Sequence, residues 1–472
     1  MNLWAALGNR LWQLVSWPEY RRFGAGLGDL HGEQLSCLAR VLGRAESSVY
    51  GLRHGLKRGW SYSKFADEVP IITYDEILPY LKLTHGLITE TVRVWEPTGG
   101  STGGCKWIPW TGGLQQEFRS AVSAWIFDLY RQFPEVRNGR SYWQLTPTAD
   151  VQPPDWLSGA TTGFESDGDY LGAAGRLLER AVLVSVDKSP QRFWERTVER
   201  LVTTTDLRLI SCWSPTFLKL LKSKCEELVG CWTPEQWWPS LGVVSCWTDG
   251  PSLPYRSVLA EIFPTVTVQG KGLLSTEAVT TIPFRGHYPL AYRSHFFEFQ
   301  DDYGGLVPAW GVENGKTYEV IQSTSGGLLR YRSGDRVRVT GFLGTVPCFE
   351  FSNRSGVVDR FGEKLSLDFL QKVIGSCGVE AALGYEDGSY VLFLSPMSES
   401  RARELWDQVN EALESVYTYR DCLALEQLGR LRCFVLRSED CWEFAREDYG
   451  RRKLNAVLPV GKWSQIFGGS FL

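Results

Sequence analysis

Residues 98–106 read Thr98-Gly99-Gly100-Ser101-Thr102-Gly103-Gly104-Cys105-Lys106. Four glycines, three hydroxyl side chains and a lysine fall within this stretch. Glycine lets the backbone approach a polyanion closely and turn successive N–H groups toward it. Hydroxyls and an ammonium add further donors for phosphate oxygens. A strand predicted at Val92–Trp95 and a helix predicted at Leu114–Phe133 flank it, a setting that suits a triphosphate. Taken alone, the stretch reads equally well as a plain Gly/Ser turn. It is not a Walker A loop, which needs Gly-Lys followed by Ser or Thr. Gly315-Lys316-Thr317 also fails that pattern and reads as a hairpin turn.

The chain has 472 residues, with 43% apolar and 22% charged residues. That is ordinary for a globular protein and leaves room for one large and one small domain. A net charge of −4 lacks the basic footprint of a nucleic-acid binder. The 11 cysteines form no CxxC pair, so neither a zinc site nor a redox motif is signalled. Scattered thiols fit a reducing cytoplasm. No apolar run of membrane-spanning length is present, and the N-terminus lacks the pattern of a signal peptide. Leu3, Leu7, Leu11 and Val15 recur at helical spacing, which predicts a helix packed through that face.

Helices are expected through residues 1–90, and again at Ala173–Val184, Phe193–Leu209 and Pro215–Leu228. Short strands punctuated by turns follow from Gly242 to Phe351. After Arg354 the pattern restarts as a small α+β unit. A domain boundary is therefore expected near Asn353–Gly356, giving domains of residues 1–353 and 354–472.

Two further motifs follow the glycine-rich stretch in order. Gln269-Gly270-Lys271-Gly272 leads into Leu273-Leu274-Ser275-Thr276-Glu277, and Tyr331-Arg332-Ser333-Gly334-Asp335 comes later. Read singly, they are an exposed Thr-Glu at a strand end and a charged β-turn. Together with residues 98–106 they resemble the phosphate loop, adenine-side motif and ribose motif of the adenylate-forming superfamily. The continuation Lys106-Trp107-Ile108-Pro109 resembles the GH3 acyl-acid amido synthetase family in its bacterial branch. Pro70–Tyr74, Cys246–Gly250, Ser294–Phe299 and Phe361–Leu365 extend the likeness nearly end to end. Gly99 departs from the family pattern, which carries a hydroxyl residue there.

The resemblance implies a mixed α/β (α+β) fold. A large N-terminal domain would carry β-sheets and a β-barrel-like part flanked by helices, and a small mobile α+β domain would follow. It implies ATP and Mg²⁺ as cofactors. Thr98, Gly100, Ser101, Thr102, Gly103 and the catalytic Lys106 would hold phosphates. Leu274, Ser275 and Thr276 would line the nucleotide, and Glu277 would hold the metal. Asp335 would bind the ribose hydroxyls as an acceptor-only carboxylate, with Arg354 and Lys364 near the nucleotide.

A lysine near the C-terminus is expected to stabilise charge on the transferring phosphoryl group. Lys453, ten residues before Trp463–Phe467, fits the family spacing better than Lys462, although Leu454 stands where the family often has Pro. His295, beside Phe296 and Phe297, reads more readily as a packed or capping residue than as a base.

The implied reaction joins a carboxylic acid, aromatic or apolar, to an amine such as an amino acid, with the chain acting as a monomer. Two alternatives stay open: a ligase that uses the thiol of CoA or a carrier protein, and a non-catalytic relative that binds nucleotide or acid.

Overall fold

The computed structural model describes residues 2–98, 106–144, 153–164, 182–184, 192–253, 255–301, 303–354, 357–438, 442, 457–458 and 461–472. The chain divides into two compact units. One covers Met1–Thr98 with Trp107–Ser355; the other covers Gly356–Leu472 together with Gly99–Lys106.

The first unit opens with helices α1 (Leu3–Ala25), α2 (Leu30–Ala45), α3 (Val49–Arg53), α4 (Tyr62–Glu68) and α5 (Tyr74–Leu81). Asn2 caps α1 by accepting the Ala5 amide, and Asp29 caps α2 through Gly32. The face of α1 that packs is not the predicted one. Ala5, Ala6, Gly8, Asn9, Trp12, Ser16, Tyr20 and Phe23 are buried, whereas Leu3, Leu7, Leu11 and Val15 point outward. Both faces of α1 carry apolar residues, so spacing alone could not choose between them. Small residues on the inner face let α1 lie close along α6 (Gly112–Gln132).

Strands β1 (Val94–Thr98) and β2 (Lys106–Trp110) pair with each other just before α6. The glycine-rich stretch therefore joins two strands. The expected strand-to-helix setting is corrected: Lys106 begins a strand, and Thr111 caps the helix by accepting the Leu114 amide.

Next comes a parallel sheet of order β3 (Arg140–Trp143), β4 (Leu207–Ser211), β5 (Val243–Cys246) and β6 (Thr267–Gly270). The predicted helix Phe193–Leu209 ends at Val202, and β4 follows it. β-Branched and leucine residues bury the two central strands, β4 and β5, on both faces, as in parallel sheets generally.

An antiparallel sheet of order β11-β10-β9-β7-β8 completes the unit. Its strands are β7 (Phe296–Gln300), β8 (Leu306–Pro308), β9 (Thr317–Ser323), β10 (Tyr331–Leu343) and β11 (Val346–Arg354). Within the stretch expected to hold short strands, Thr280–Pro283 makes only isolated bridges, such as that of Thr281 with Leu290.

The second unit has its own core around Leu370, Leu383, Leu392, Leu405 and Val409. A two-stranded pair, β12 (Val357–Val358) and β13 (Leu365–Ser366), leads into the helix Leu367–Gly375. A sheet of order β14 (Ala381–Glu386), β15 (Ser389–Leu394), β16 (Gly429–Leu436) and β17 (Gly469–Phe471) follows. The C-terminal segment thus returns to pair β17 with β16. Among the described residues, no helix is long and apolar enough to cross a membrane.

Candidate functional site

The motif ending in Glu277 forms the tip of a tight hairpin. Leu274 bridges Val279, and the Ser275 amide donates to the Ala278 carbonyl at 2.9 Å. The Ser275 hydroxyl accepts the Ala278 amide at 3.3 Å. Thr281 Oγ1 closes the base by accepting the Leu273 amide at 2.8 Å. Gly272 precedes the hairpin at φ +76°, where an added Cβ would lie 2.8 Å from the Thr281 carbonyl oxygen, so a side chain is excluded. Thr276 and Glu277 are left at the tip. Glu277 is only 3% exposed, yet among the described residues its carboxylate makes no hydrogen bond or ion pair.

A buried relay fixes this tip from below. The Val279 amide donates to His295 Nε2 at 3.1 Å. His295 Nδ1 in turn lies 3.0 Å from Oε2 of Glu117, on α6. Because Nε2 accepts a backbone N–H, the ring hydrogen sits on Nδ1 and points at the carboxylate. Glu117 also accepts the Ser325 amide at 3.0 Å and the Ser325 hydroxyl at 2.6 Å, and it faces the Arg40 guanidinium at 3.4 Å. Burial pushes the Glu117 carboxyl up, but His295, Arg40 and Ser325 outweigh it and hold it below the usual range. His295 is a packed residue, as its aromatic neighbours suggested. Glu117 was missed. Its signal was a carboxylate on the apolar stripe Leu114, Phe118, Ala121.

Asp335 sits at a break in the ladder rather than in a β-turn. The register of β10 with β9 shifts between Arg332 and Arg336, so Ser333, Gly334 and Asp335 leave that pairing. Gly334 takes φ +85°, and the Asp335 amide donates to the Ser333 hydroxyl oxygen at 3.2 Å. Such a bulge re-aims a side chain. On its other side, β10 pairs Asp335 with Arg354 of β11, so two predicted site residues are backbone partners in register.

Arg330, just upstream, anchors this strand. Its guanidinium donates twice to the buried Glu298 carboxylate, at 2.9 Å each, and to the Ala66 carbonyl at 2.7 Å.

Thr98 ends β1 and is buried, and Lys106 is half-buried at the start of β2. Gly100, Ser101, Thr102 and Gly103 lie outside the described residues, as does Lys453. Lys462 is exposed, 3.8 Å from Asp387.

In the second unit, Lys364 takes φ +46° at the end of a tight loop. The buried Glu363 carboxylate accepts the Arg360 and Phe361 amides at 2.9 and 2.7 Å and the Tyr390 hydroxyl. Asp359 accepts the Gly362 amide at 2.9 Å. This loop, and not a helix or strand, presents Lys364.

The GH3 family N-terminal domain model matches residues 21–173, and the GH3 family central domain model matches residues 288–354. A putative indole-3-acetic acid-amido synthetase GH3.10 of Oryza sativa subsp. japonica is 23% identical over 372 residues, covering 68% of this chain and 77% of the relative. A probable indole-3-acetic acid-amido synthetase GH3.6 of the same plant is 32% identical over 152 residues, covering 28% and 30%. Among solved structures, the AtGH3.15 acyl acid amido synthetase in complex with 2,4-DB superposes with a TM-score of 0.63 at 17% identity, covering 96% of this chain and 95% of that one. A 2-hydroxyisobutyryl-CoA ligase in complex with 2-HIB-AMP and CoA gives 0.64 at 10% identity, covering 94% and 91%. The mixed α/β fold is that of these enzymes.

Proposed function

We propose that this chain, a member of the GH3 family within the adenylate-forming superfamily, is an ATP-dependent acyl-acid amido synthetase. It would adenylate a carboxylic acid and then transfer the acyl group to an amine, that of an amino acid. One observation carries the reading: the Ser275–Ala278 turn, braced by His295, holds a buried carboxylate that no donor among the described residues engages.

Glu277 fits Mg²⁺. It is an oxygen ligand on a fixed turn, and Mg²⁺ is typically held by one or two carboxylates plus substrate phosphates. Bound there, the ion would supply neutralisation of phosphate charge. Thr98, Ser101, Thr102 and Lys106, with the backbone at Gly100 and Gly103, would hold the β- and γ-phosphates. Leu274, Ser275 and Thr276 would line the nucleotide. Asp335 would accept the ribose hydroxyls, with Arg354 and Lys364 as supporting cations. The acid's carboxylate attacks the α-phosphorus, the bond to the bridging oxygen breaks, and pyrophosphate leaves. An amine then adds to the acyl carbon and AMP departs.

Lys453 would stabilise the first transition state and be carried away by movement of residues 354–472 before the second. Such movement can limit turnover. Lys106-Trp107-Ile108-Pro109 supports a bacterial branch of the family, the scattered thiols support a cytoplasmic enzyme, and the chain is taken to act as a monomer.

The test measures pyrophosphate release and amide formation separately, with a panel of acids and with amino acids, CoA and a carrier protein as acceptors. Amide formation is expected only with amines, and Lys453→Ala should slow pyrophosphate release. Wild-type adenylation in Lys453→Ala would reassign the role to Lys462. Thioester product would replace the amine acceptor by a thiol. Silence across the panel, with nucleotide still bound, would leave a binding protein.

A further inference from the structure

The carboxyl edge of a parallel sheet is where open α/β folds take ligands. Here that edge carries an unusual set of donors. The register of β3 to β6 aligns Trp143, Ser211, Ser245 and Gln269 in one row. Residues paired this way share a face of the sheet. From α6, Trp125 covers the same face and donates its indole N–H to Gln269 Oε1 at 3.1 Å.

Lys271, two residues beyond Gln269, reaches back across this row. Its ammonium donates to the Ser211 hydroxyl oxygen. It lies 5.0, 5.3 and 5.6 Å from the ring centroids of Trp213, Trp125 and Trp143. The charge is well inside, with Lys271 4% exposed, Ser211 2% and Ser245 0%. Indole faces stabilise a cation held this way.

The row is rich in donors. Ser211's oxygen accepts a hydrogen bond from the ammonium, so its own hydrogen is available to donate. Among the described residues, the Ser245 hydroxyl and the Trp143 indole N–H, both buried, have no hydrogen-bond partner. Buried polar atoms of this kind call for an explanation such as a bound water or a ligand. An indole N–H can only donate, as can an ammonium.

We propose that Lys271, Ser211, Ser245 and Trp143 form a subsite for an oxygen acceptor at the far end of the acyl substrate, a carbonyl or a second carboxylate carried on a flat ring. The indoles present their faces to the ring, and the donors read the oxygen. This deepens the adenylating reading above and rests on it. It makes the preferred acid one with a polar distal group, where the sequence pointed only to an aromatic or apolar one.

The test uses the full chain and a matched series of phenylalkanoic acids whose para position carries hydrogen, methyl, acetyl or carboxylate. Pyrophosphate release gives kcat/KM for each acid in the wild type, in Lys271→Met and in Ser245→Ala. The wild type should favour acetyl or carboxylate over methyl by about tenfold or more, the worth of a charge-assisted hydrogen bond. Both variants should collapse that ratio. Ser245→Ala guards against misfolding of Lys271→Met, because it removes a hydroxyl that no group among the described residues uses.

Equal rates across the wild-type series, or variants that slow every acid alike, would overturn the subsite. So would a Ser245→Ala protein that is more stable with its ratio intact, the result for a buried water only. If no acid releases pyrophosphate, the adenylating function fails, and calorimetry then decides the subsite separately. Saturable binding of the para-carboxylate acid that Ser245→Ala weakens would sustain it, and no binding would overturn it.

Discussion

Oε2 of Glu117 lies 3.0 Å from Nδ1 of His295, in a part of the core where the two are 4% and 0% exposed. The pair holds the imidazole so that its other nitrogen accepts the Val279 amide, two residues past Glu277. His295→Ala would leave that amide buried and unsatisfied, at a cost of about 1–3 kcal/mol, and would loosen the turn that carries Glu277. His295→Gln restores an acceptor and should recover part of both losses. Thermal unfolding and the rate of pyrophosphate release check this. The pH profile of kcat/KM should keep its shape in His295→Gln, since the accepting nitrogen is already used by Val279. Loss of a limb near neutral pH in that variant would make His295 a base after all.

Glu117 also predicts how stability responds to acid. Burial raises its pKa, but His295, Arg40 and Ser325 outweigh burial, so the folded value lies below the unfolded one. A carboxylate of this kind adds stability that is complete above its unfolded pKa and is lost as pH falls through its folded pKa. The loss therefore comes below about pH 4. Glu117→Gln should be less stable than wild type at pH 7, with the gap narrowing on acidification. Urea midpoints between pH 3 and 7 measure it; a gap of constant size would show that the carboxylate's charge is not what matters.

Legibility in the sequence followed the range of the interactions. Ser275-Thr276-Glu277 was readable because its turn is built almost entirely from residues 273–281, and its chemistry sits in adjacent side chains. Asp335 was readable as a site residue, but its bulge was not, because a register shift depends on where β9 happens to pair. Glu117 and Ser325 stand 208 positions apart, and no local pattern announces such a partner. The packed face of α1 was misread because Leu, Trp and Val occur all round that helix, and the choice fell to small residues that fit against α6. Strand β4 was absorbed into the helix before it because Leu207-Arg208-Leu209-Ile210 is a short apolar run that periodicity cannot assign.

Arg330 and Glu298 form a buried, two-pronged ion pair, 4% and 1% exposed. Arg330 also spans to the carbonyls of Ala66 and Val69, tying the end of α4 to the start of β10. Removing one partner strands a buried charge, so Arg330→Ala should cost about 3–5 kcal/mol. Replacing both with apolar residues of similar volume, Arg330→Met with Glu298→Met, should cost much less than the two single changes summed. A double-mutant cycle on chemical unfolding measures the coupling. Additive losses would mean that Arg330 acts through the two carbonyls alone.

Asp421 sets the opposite pH response in the second unit. It belongs to the helix Tyr417–Ala424, and burial pushes its carboxyl up to about 6 against the opposing pull of Tyr417 and Arg420. For an acid whose folded pKa is raised, the folded state binds more protons between the unfolded and folded values. Stability therefore falls as pH climbs from about 4 to about 6 and stays reduced above that. Asp421→Asn keeps the shape and an acceptor for Tyr417 but carries no charge to desolvate. At pH 7 to 8 the variant should protect the amides of residues 417–425 from hydrogen exchange better than wild type, and at pH 4 the two should match once intrinsic exchange rates are corrected for. Equal protection at both pH values would mean that Asp421 reaches water in the folded state, and a variant less protected at pH 7 would mean that its negative charge stabilises the helix.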